Sequence, residues 1–298
     1  MKLSLSGRTV VITGGAGGLG QAVARELIER GARVGLLDLS AENASAAASE
    51  LGDIDVVAGW QVDVRDLSSV EAAMATAAEH FGGIDIVVAG AGIGNVIGSI
   101  DATRAEDFER VVDINLTGAW RTFRAAAPYV IEKRGHLLAI ASMASFLHSP
   151  LHSSYTASKA GVWAMCNSLR LEMRQSGVTV GSVHPAFFRT PMIDEVRDDA
   201  VALKVWNNFT GPFALISVEE VVSEIIRGIE HRSQQVVIPK KLKIAGIAPG
   251  ALRPLIERIG YPNRNIRDAI ELSRVSRRRS EPSSRRPVAN HLGSVPEK

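Results

Sequence analysis

Short apolar runs alternate with helical stretches along the first 240 residues, and this alternation constrains the fold more than any other feature. The apolar runs lie at 8–13, 32–40, 56–64, 84–92, 135–142, 178–185 and 234–239. Apolar residues with helical spacing occur between them, notably over 19–31, 68–80, 104–131, 155–176 and 218–231. Strands that alternate with helices form a parallel sheet covered on both faces. The sequence therefore predicts an α/β fold with a doubly wound parallel sheet, in one domain over residues 1–240.

Residues 241–298 differ from this domain in composition and are predicted to form a basic C-terminal extension, with a short helix followed by a disordered segment. Residues 240–298 contain 14 Lys and Arg but 5 Asp and Glu, whereas the whole chain contains 34 and 32. The basic excess is thus confined to the extension. We do not expect it to bind nucleic acid, because no aromatic residues interleave with the arginines at 277–279.

An apolar stripe at helical spacing runs through the extension and has two interpretations. Leu252, Leu255, Ile256 and Ile259 form it, with arginines beside them. It could pack on the body or on a sister subunit, or it could make a weak contact with an anionic membrane surface. No leader peptide or membrane-spanning run is apparent in the sequence, so the expected location is the cytoplasm, with peripheral membrane contact as the alternative.

Cysteine and histidine usage argues against disulfides and metal sites. The single cysteine, Cys166, lies among apolar residues and is predicted to be a buried, inert thiol. The histidines are scattered and show no zinc-site spacing. No metal is therefore expected in the site.

A glycine-rich turn, TGGAGGLG at 13–20, follows the first strand and opens the first helix. Such a turn lets the backbone approach a pyrophosphate, whose charge then lies at the helix N-terminus. Asp38 ends the second strand about twenty residues later, where its carboxylate could accept hydrogen bonds from the ribose hydroxyls of NAD. Because Leu39 rather than a basic residue follows, NAD is favoured over NADP. The alternative is a turn and an acidic loop residue without a ligand.

Tyr155 and Lys159 are four residues apart in a predicted helix, so their side chains share one face. A phenol has a pKa of about 10, and a nearby positive charge would lower it. This spacing therefore suggests an acid–base pair, although the pair alone could equally be a surface contact on an amphipathic helix.

Taken together, the motifs over about residues 6–240 resemble those of the short-chain dehydrogenase/reductase family, which has a Rossmann-type fold. The turn residues Gly14, Gly18, Leu19 and Gly20 resemble its dinucleotide turn, and Asp63 with Val64 resembles its adenine contact. Asn115 in VDINLTG, Ser142, and the pair Tyr155 and Lys159 match its catalytic residues in order and spacing. Pro185 and Thr190 resemble the segment that reaches the nicotinamide, and Gly90 lies in the small-residue segment after the fourth strand.

This resemblance implies roles for the matched residues. Lys159 would hold the nicotinamide ribose and stabilise the Tyr155 phenolate, and Tyr155 would exchange a proton with the substrate oxygen. Ser142 would position that oxygen, and Asn115 would hold a water that links Lys159 to solvent. Two departures stand out. Ala89 and Gly90 replace an Asn pair, and His184-Pro185-Ala186 replaces Asn-Pro-Gly, with His184 interpreted as a structural histidine.

Residues 191–216 interrupt the alternation and resemble the family's variable substrate-covering segment. Their apolar character favours a secondary alcohol or ketone on a bulky apolar body, such as a steroid or a lipid, although half of these side chains could be ordinary core. The apolar residues are Met192, Ile193, Val201, Leu203, Val205, Trp206, Phe209 and Phe213, joined after Ser142 by Met143, Phe146, Leu147 and Leu151.

The leading hypothesis is an NAD-dependent alcohol dehydrogenase or ketone reductase. The alternatives are an NADPH-dependent 3-ketoacyl-type reductase and a non-catalytic NAD-sensing protein. The resemblance also implies a homodimer or homotetramer formed through the helices at 104–131 and 155–176, with Trp120, Phe123 and Trp163 as candidate apolar contacts.

Overall fold

A seven-stranded parallel sheet forms the centre of the computed structural model, which describes residues 2–94, 97–248, 250 and 260–280. The strand order is β3-β2-β1-β4-β5-β6-β7, and every neighbouring pair is parallel. All seven predicted runs are strands, so the predicted doubly wound α/β fold of the Rossmann type is confirmed. The strands are β1 Thr9–Thr13, β2 Arg33–Asp38, β3 Val57–Gln61, β4 Ile86–Ala89, β5 His136–Ile140, β6 Thr179–Pro185 and β7 Gln235–Ile238.

Helices connect the strands and cover both faces of the sheet. They are α1 Gly18–Glu29, α2 Ala41–Leu51, α3 Leu67–Phe81, α4 Ala105–Val112, α5 Gly118–Lys133, α6 Ser153–Glu172, α7 Pro191–Arg197, α8 Ala200–Val205, α9 Val218–Glu230, α10 Lys243–Ile247 and α11 Asn263–Ser280. None of the described helices is long and apolar enough to cross a bilayer.

Alternate residues of the central strand point into two separate cores. Val10 and Ile12 of β1 belong to one cluster, which includes buried residues of α1, α2 and α9. Val11 belongs to the other, which includes buried residues of α3, α5 and α6. β1 is therefore buried on both faces, which explains why its sequence is a continuous apolar run rather than an alternating one.

The chain reverses its winding direction between β1 and β4, and this places a crevice above the carboxyl ends of the strands. The first half runs outward from β1 to β3, and the second half starts again at β4 beside β1 and runs outward to β7. Thr13 at the end of β1 lies opposite Ala89 at the end of β4. Ligands of open α/β sheets bind at this reversal.

The predicted helix over 104–131 is interrupted by one wider turn. A π-helical turn, Asp113–Thr117, separates α4 from α5. A π-turn accommodates an extra residue, and such turns often occur at functional sites. Here it carries the buried Asn115.

The segment 191–216 forms α7, α8 and two short 3₁₀ turns, and the C-terminal extension packs against it. Helix α11 contacts α8, where Lys204 pairs with Asp268 at 3.1 Å. It also contacts the loop after β4, where Arg274 donates to Asp101 at 2.9 Å. The sequence analysis did not predict α11. The apolar stripe at 252–259 and residues 281–298 lie outside the described residues.

The three aromatic side chains expected at a subunit interface differ in how far they are exposed to solvent. Trp120 is 44% exposed, whereas Phe123 is 2% exposed and belongs to the core beneath α5. Trp163 packs edge-on against Phe146. The proposal of Phe123 as an interface contact is therefore corrected, because its side chain is already buried within the chain.

Candidate active site

The glycine turn brings β1 and α1 so close together that side chains are excluded. A Cβ atom at Gly20 would lie 2.4 Å from the Gly14 carbonyl oxygen, and Gly14 has a left-handed φ of +72°. Gly17 caps α1 without a side-chain hydrogen bond, and the first turn of the helix carries no acidic residue. The first N–H groups of α1 are thus free of side-chain caps, as a bound phosphate requires.

Asp38 joins the end of β2 to the glycine turn. Its Oδ2 accepts a hydrogen bond from the Ala16 N–H at 3.0 Å, and its Oδ1 accepts one from the Leu39 N–H at 2.8 Å. Each carboxylate oxygen can accept a second hydrogen bond. The half-buried Asp38 therefore retains acceptor capacity for sugar hydroxyls beside the turn. Together with the uncapped helix, this fits a dinucleotide.

A continuous cavity of about 980 Å³ runs from the glycine turn to the segment 191–216. Of the predicted site residues, Asn115 alone does not line it. Those that do are Gly14, Gly18, Leu19, Gly20, Asp38, Asp63, Val64, Gly90, Ser142, Tyr155, Lys159 and Thr190.

Tyr155 and Lys159 lie on the first two turns of α6, with both side chains directed into the cavity. The Lys159 Nζ atom is 5.6 Å from the centre of the Tyr155 ring and donates to the Ile140 carbonyl at 2.9 Å. Ser142, just beyond β5, lines the same cavity, and its hydroxyl opposes the effect of burial on the Tyr155 pKa. The chain at the end of β5 thus places the Ser142 side chain near Tyr155 and the Ile140 carbonyl against Lys159.

Burial shifts the pKa of both Tyr155 and Lys159 in the direction that disfavours the charged form. It raises the pKa of the Tyr155 phenol, an effect that the Ser142 hydrogen bond opposes. It lowers the pKa of the Lys159 ammonium to about 8. The expectation that Lys159 lowers the phenol pKa is therefore not met here, because desolvation dominates. The phenol keeps its proton at neutral pH.

Asn115 is fixed by the chain segment after β4. Its Oδ1 accepts from the Ile93 N–H at 2.8 Å, and its Nδ2 donates to the Ile93 carbonyl at 3.0 Å and to the Ser158 hydroxyl at 3.2 Å. Both amide hydrogens are thereby used. The side chain braces the cavity wall between the π-turn and α6.

The short chain dehydrogenase family model matches residues 8–201, which include the glycine turn, Ser142, Tyr155 and Lys159. The chain belongs to this family. As a short-chain dehydrogenase, it is an oxidoreductase that acts on the alcohol or carbonyl group of a small molecule, and its cofactor is a nicotinamide dinucleotide.

Curated relatives of this short-chain dehydrogenase have different substrates in their names. A 2-dehydro-3-deoxy-L-rhamnonate dehydrogenase (NAD(+)) of Sphingomonas sp. strain SKA58 is 36% identical over 197 residues, which are 66% of this chain and 78% of the relative. A 3-alpha-(or 20-beta)-hydroxysteroid dehydrogenase of Mycobacterium bovis is 35% identical over 196 residues, which are 65% and 74%. Among solved structures, levodione reductase has a TM-score of 0.72 at 26% identity, covering 78% of this chain and 96% of that chain.

The other predicted cofactor residues have additional partners within the chain. The Asp63 carboxylate is paired with Arg65, with 2.6 Å between Oδ2 and Nη2, and hydrogen bonding to Arg65 lowers the pKa of Asp63. Thr190 caps α7 by accepting from the Ile193 N–H. The Gly90 N–H donates to Thr13, both to its carbonyl and to its hydroxyl.

His184 is buried and uses both ring nitrogens within the protein. Its Nδ1 lies 3.1 Å from the Ser142 carbonyl and its Nε2 lies 2.8 Å from the Ser182 hydroxyl. Burial lowers the pKa of His184 to about 4, so the ring is neutral, donates to Ser142 and accepts from Ser182. This geometry supports the interpretation of a structural histidine, one that fixes the backbone of Ser142.

Sequence reasoning missed two contributors to the site, the Ile140 carbonyl and His152, and named Thr13 only as part of the glycine turn. The Thr13 hydroxyl accepts from the Gly90 and Ala91 N–H groups, and the Ile140 carbonyl accepts from Lys159. His152 stacks on Tyr155 and lines the cavity. Thr13 was visible as the polar residue that ends an apolar strand, whereas the other two depend on tertiary contacts.

The substrate end of the cavity is lined mainly by apolar side chains. Only part of the apolar set expected from the sequence faces it, because Val201, Val205 and Phe209 are buried in a separate core cluster. Phe146 is likewise buried against Trp163 and His184. The apolar lining comprises Met143, Leu147, Phe187, Phe188, Ile193, Val196, Trp206, Phe213, Leu215 and Ile216.

Among the residues that the structure describes, no group of three or more His, Cys, Asp or Glu side chains could hold a metal ion. Cys166 is buried, and burial raises the pKa of its thiol to about 12. The thiol is therefore inert, as the sequence predicted.

Proposed function

We propose that the protein is an NAD(H)-dependent oxidoreductase that interconverts a secondary alcohol and a ketone on a bulky apolar molecule. The observation that carries this proposal is the convergence of Ser142, Tyr155 and Lys159 in one cavity. That cavity is continuous with the glycine turn at one end and with an apolar compartment at the other. A bound nicotinamide would supply or accept the hydride.

Tyr155 is proposed as the acid–base group. Because burial holds its proton at neutral pH, the phenol is suited to donate that proton to a ketone oxygen as reduction proceeds. Ser142 lines the same cavity as the phenol and would orient the same substrate oxygen. Lys159 lies beside the phenol, and its charge would stabilise the phenolate that remains.

Asn115 is proposed to support proton transfer by holding the cavity wall and, with its remaining acceptor capacity, a water that leads from Lys159 toward solvent. Gly92 supports this placement, because a Cβ atom there would lie 3.2 Å from the Asn115 Oδ1 and 3.5 Å from the Lys159 Nζ. The two polar side chains thus border the same small space.

The preference for NAD rests on Asp38. Its carboxylate lies beside the turn and would repel a 2′-phosphate, and the adjacent Leu39 supplies no positive charge. The printed name of the Sphingomonas relative includes NAD(+), in agreement with this proposal. An NADPH-dependent 3-ketoacyl-type reductase is less compatible with an acidic residue at this position.

The bulky apolar substrate is proposed from the lining of the compartment. The name of the Mycobacterium relative, a hydroxysteroid dehydrogenase, is in line with such a substrate. The rhamnonate dehydrogenase has nearly the same identity to this chain, so the relatives' names alone do not choose between an apolar and a sugar-derived substrate.

The test is a coenzyme-linked absorbance screen at 340 nm across steroid, decalin-type and sugar ketones, with NADH and NADPH. We expect turnover with NADH and a preference for the apolar ketones. The Tyr155→Phe variant should lose at least a hundredfold in kcat while still binding NADH. A faster reaction with sugar ketones would contradict the apolar substrate, and an active Tyr155→Phe variant would contradict the acid–base role.

A further inference from the structure

His152 lies at the start of α6, and its ring packs against two aromatic side chains. The imidazole stacks on the Tyr155 phenol, with the ring centres 4.6 Å apart and the planes 22° from parallel. The Trp206 indole packs against the same imidazole at a steep angle, with the ring centres 5.1 Å apart. Trp206 is itself fixed, because its Nε1 donates to the Ser149 hydroxyl at 2.9 Å. The His152 ring is therefore preorganised beside the acid–base group.

The two ring nitrogens of His152 form no hydrogen bond with the described part of the chain. His152 is the N-cap residue of α6, but its side chain makes no capping hydrogen bond. No hydrogen bond among the described residues uses its ring nitrogens. The His152 ring nitrogens are not among the fully buried polar atoms that lack a partner in the described residues, so they are open to the cavity that His152 lines. A hydrogen-bond partner for them is therefore expected to enter that cavity.

The surroundings define what kind of partner this is. Burial alone lowers the pKa of His152 to about 3, so the imidazole is neutral and offers one N–H donor and one acceptor. The walls near it are largely apolar, with Met143, Leu147 and Phe213 among them. A neutral imidazole in an apolar compartment cannot compensate the desolvation of a carboxylate or a phosphate. An uncharged hydroxyl or carbonyl group is the matching ligand.

We infer that His152 is a specificity-determining residue that hydrogen-bonds a second, uncharged oxygen of the substrate. The preferred substrate would then be an apolar ketone or alcohol with another hydroxyl or carbonyl group on the same face. The spacing of the two oxygens would be comparable with the 4.6 Å between the stacked rings. This inference rests on the proposed function, because Tyr155 must meet the reacting oxygen.

The experiment compares 4-hydroxycyclohexanone with 4-methylcyclohexanone, which have similar shapes and one carbonyl group each. With NADH, the full-length protein should favour the hydroxyl compound by about tenfold or more in kcat/KM, because a site built for a hydroxyl discriminates against an analogue without one. The His152→Phe variant keeps an aromatic ring against Tyr155 and should reduce this ratio to about one or below. The His148→Phe variant is the matched control, because His148 does not line this cavity, and it should retain the wild-type ratio.

A binding measurement separates this inference from the proposed function. In the NADH complex of the Tyr155→Phe variant, calorimetric titration should show tighter binding of 4-hydroxycyclohexanone than of 4-methylcyclohexanone, and adding His152→Phe should abolish the difference. This result would uphold the inference even if neither ketone were reduced. Equal binding of the two ketones, a ratio unchanged by His152→Phe, or equal losses on both substrates would overturn it.

Discussion

At the scale of single residues, the two halves of the site depend on different kinds of contact. The coenzyme half is built from backbone: the glycine turn, the uncapped start of α1 and the hydrogen bond from the Ala16 N–H to Asp38. The substrate half is built from side chains stacked on one another, such as His152 on Tyr155. We therefore expect coenzyme choice to depend on few positions, with Asp38 the most prominent of them.

Replacing Asp38 with Asn is expected to weaken discrimination between the two coenzymes. The variant loses the negative charge that would repel a 2′-phosphate, so the ratio of the NADPH and NADH dissociation constants should fall by about tenfold or more. Quenching of protein fluorescence by each coenzyme measures both constants without a substrate. The Asp55→Asn variant, at an exposed loop position, is the control. An unchanged ratio in Asp38→Asn would remove Asp38 as the basis for the NAD preference.

Residues with a local sequence signal were predictable, and residues defined by tertiary contacts were not. Tyr155 and Lys159 share a helix face and Ser142 follows an apolar strand, so their positions could be located from the sequence. Their proposed roles came from the family resemblance. The direction of the Tyr155 pKa shift was not predictable, because it depends on how deeply the phenol is buried. The role of His152 was hidden for the same reason, since its contact with Trp206 joins residues 54 positions apart.

At the scale of elements, α11 packs against α8 in the segment 191–216. Ala269 of α11 is fully buried in the same cluster as Val201 and Val205 of α8. The side chains of α11 that are buried most deeply include small ones, Ala269 and Ser273, while arginines dominate its sequence. The half-buried Ile266 and Ile270 lie on the same face as Ala269 and Ser273, so the helix is amphipathic. The sequence did not reveal it because the arginine- and serine-rich composition of the extension favoured disorder.

Removing α11 is expected to loosen the substrate compartment and to leave the coenzyme site intact. A chain ending at residue 262 loses the Lys204–Asp268 and Asp101–Arg274 pairs together with the packing of Ala269 on α8. We expect KM for an apolar ketone to rise about tenfold or more, with the NADH dissociation constant nearly unchanged. A chain ending at residue 280 retains α11 and is the control. Parallel loss of ketone and NADH binding would show that the helix supports the whole domain instead.

At the scale of the whole molecule, three buried histidines link folding to pH. Burial lowers the pKa of His136 to about 4, of His152 to about 3 and of His184 to about 4, against 6.5 for each in the unfolded chain. Between pH 6.5 and pH 4 the unfolded chain binds more protons than the folded one. The free energy of unfolding therefore falls as pH falls through this window.

The free energy of unfolding should therefore fall steeply as pH is lowered through this window. If all three histidines take up protons together, the free energy of unfolding changes by up to about 4 kcal/mol per pH unit between pH 6 and pH 5. Urea unfolding at several pH values measures this slope. The His136→Gln variant should lower the slope by about one third. Equal slopes in His136→Gln and the wild type would contradict this account.

The π-turn at Asp113–Thr117 lets the chain carry one residue more than a regular helix while α4 and α5 keep their facing. Deleting one residue from this turn is therefore expected to restore a regular helix and to leave Phe123, Ala126 and Val130 of α5 in the core. The same deletion would move the Asn115 amide away from Ile93. A one-residue deletion at this point should thus spare the folded framework and remove the support that Asn115 gives to the segment after β4.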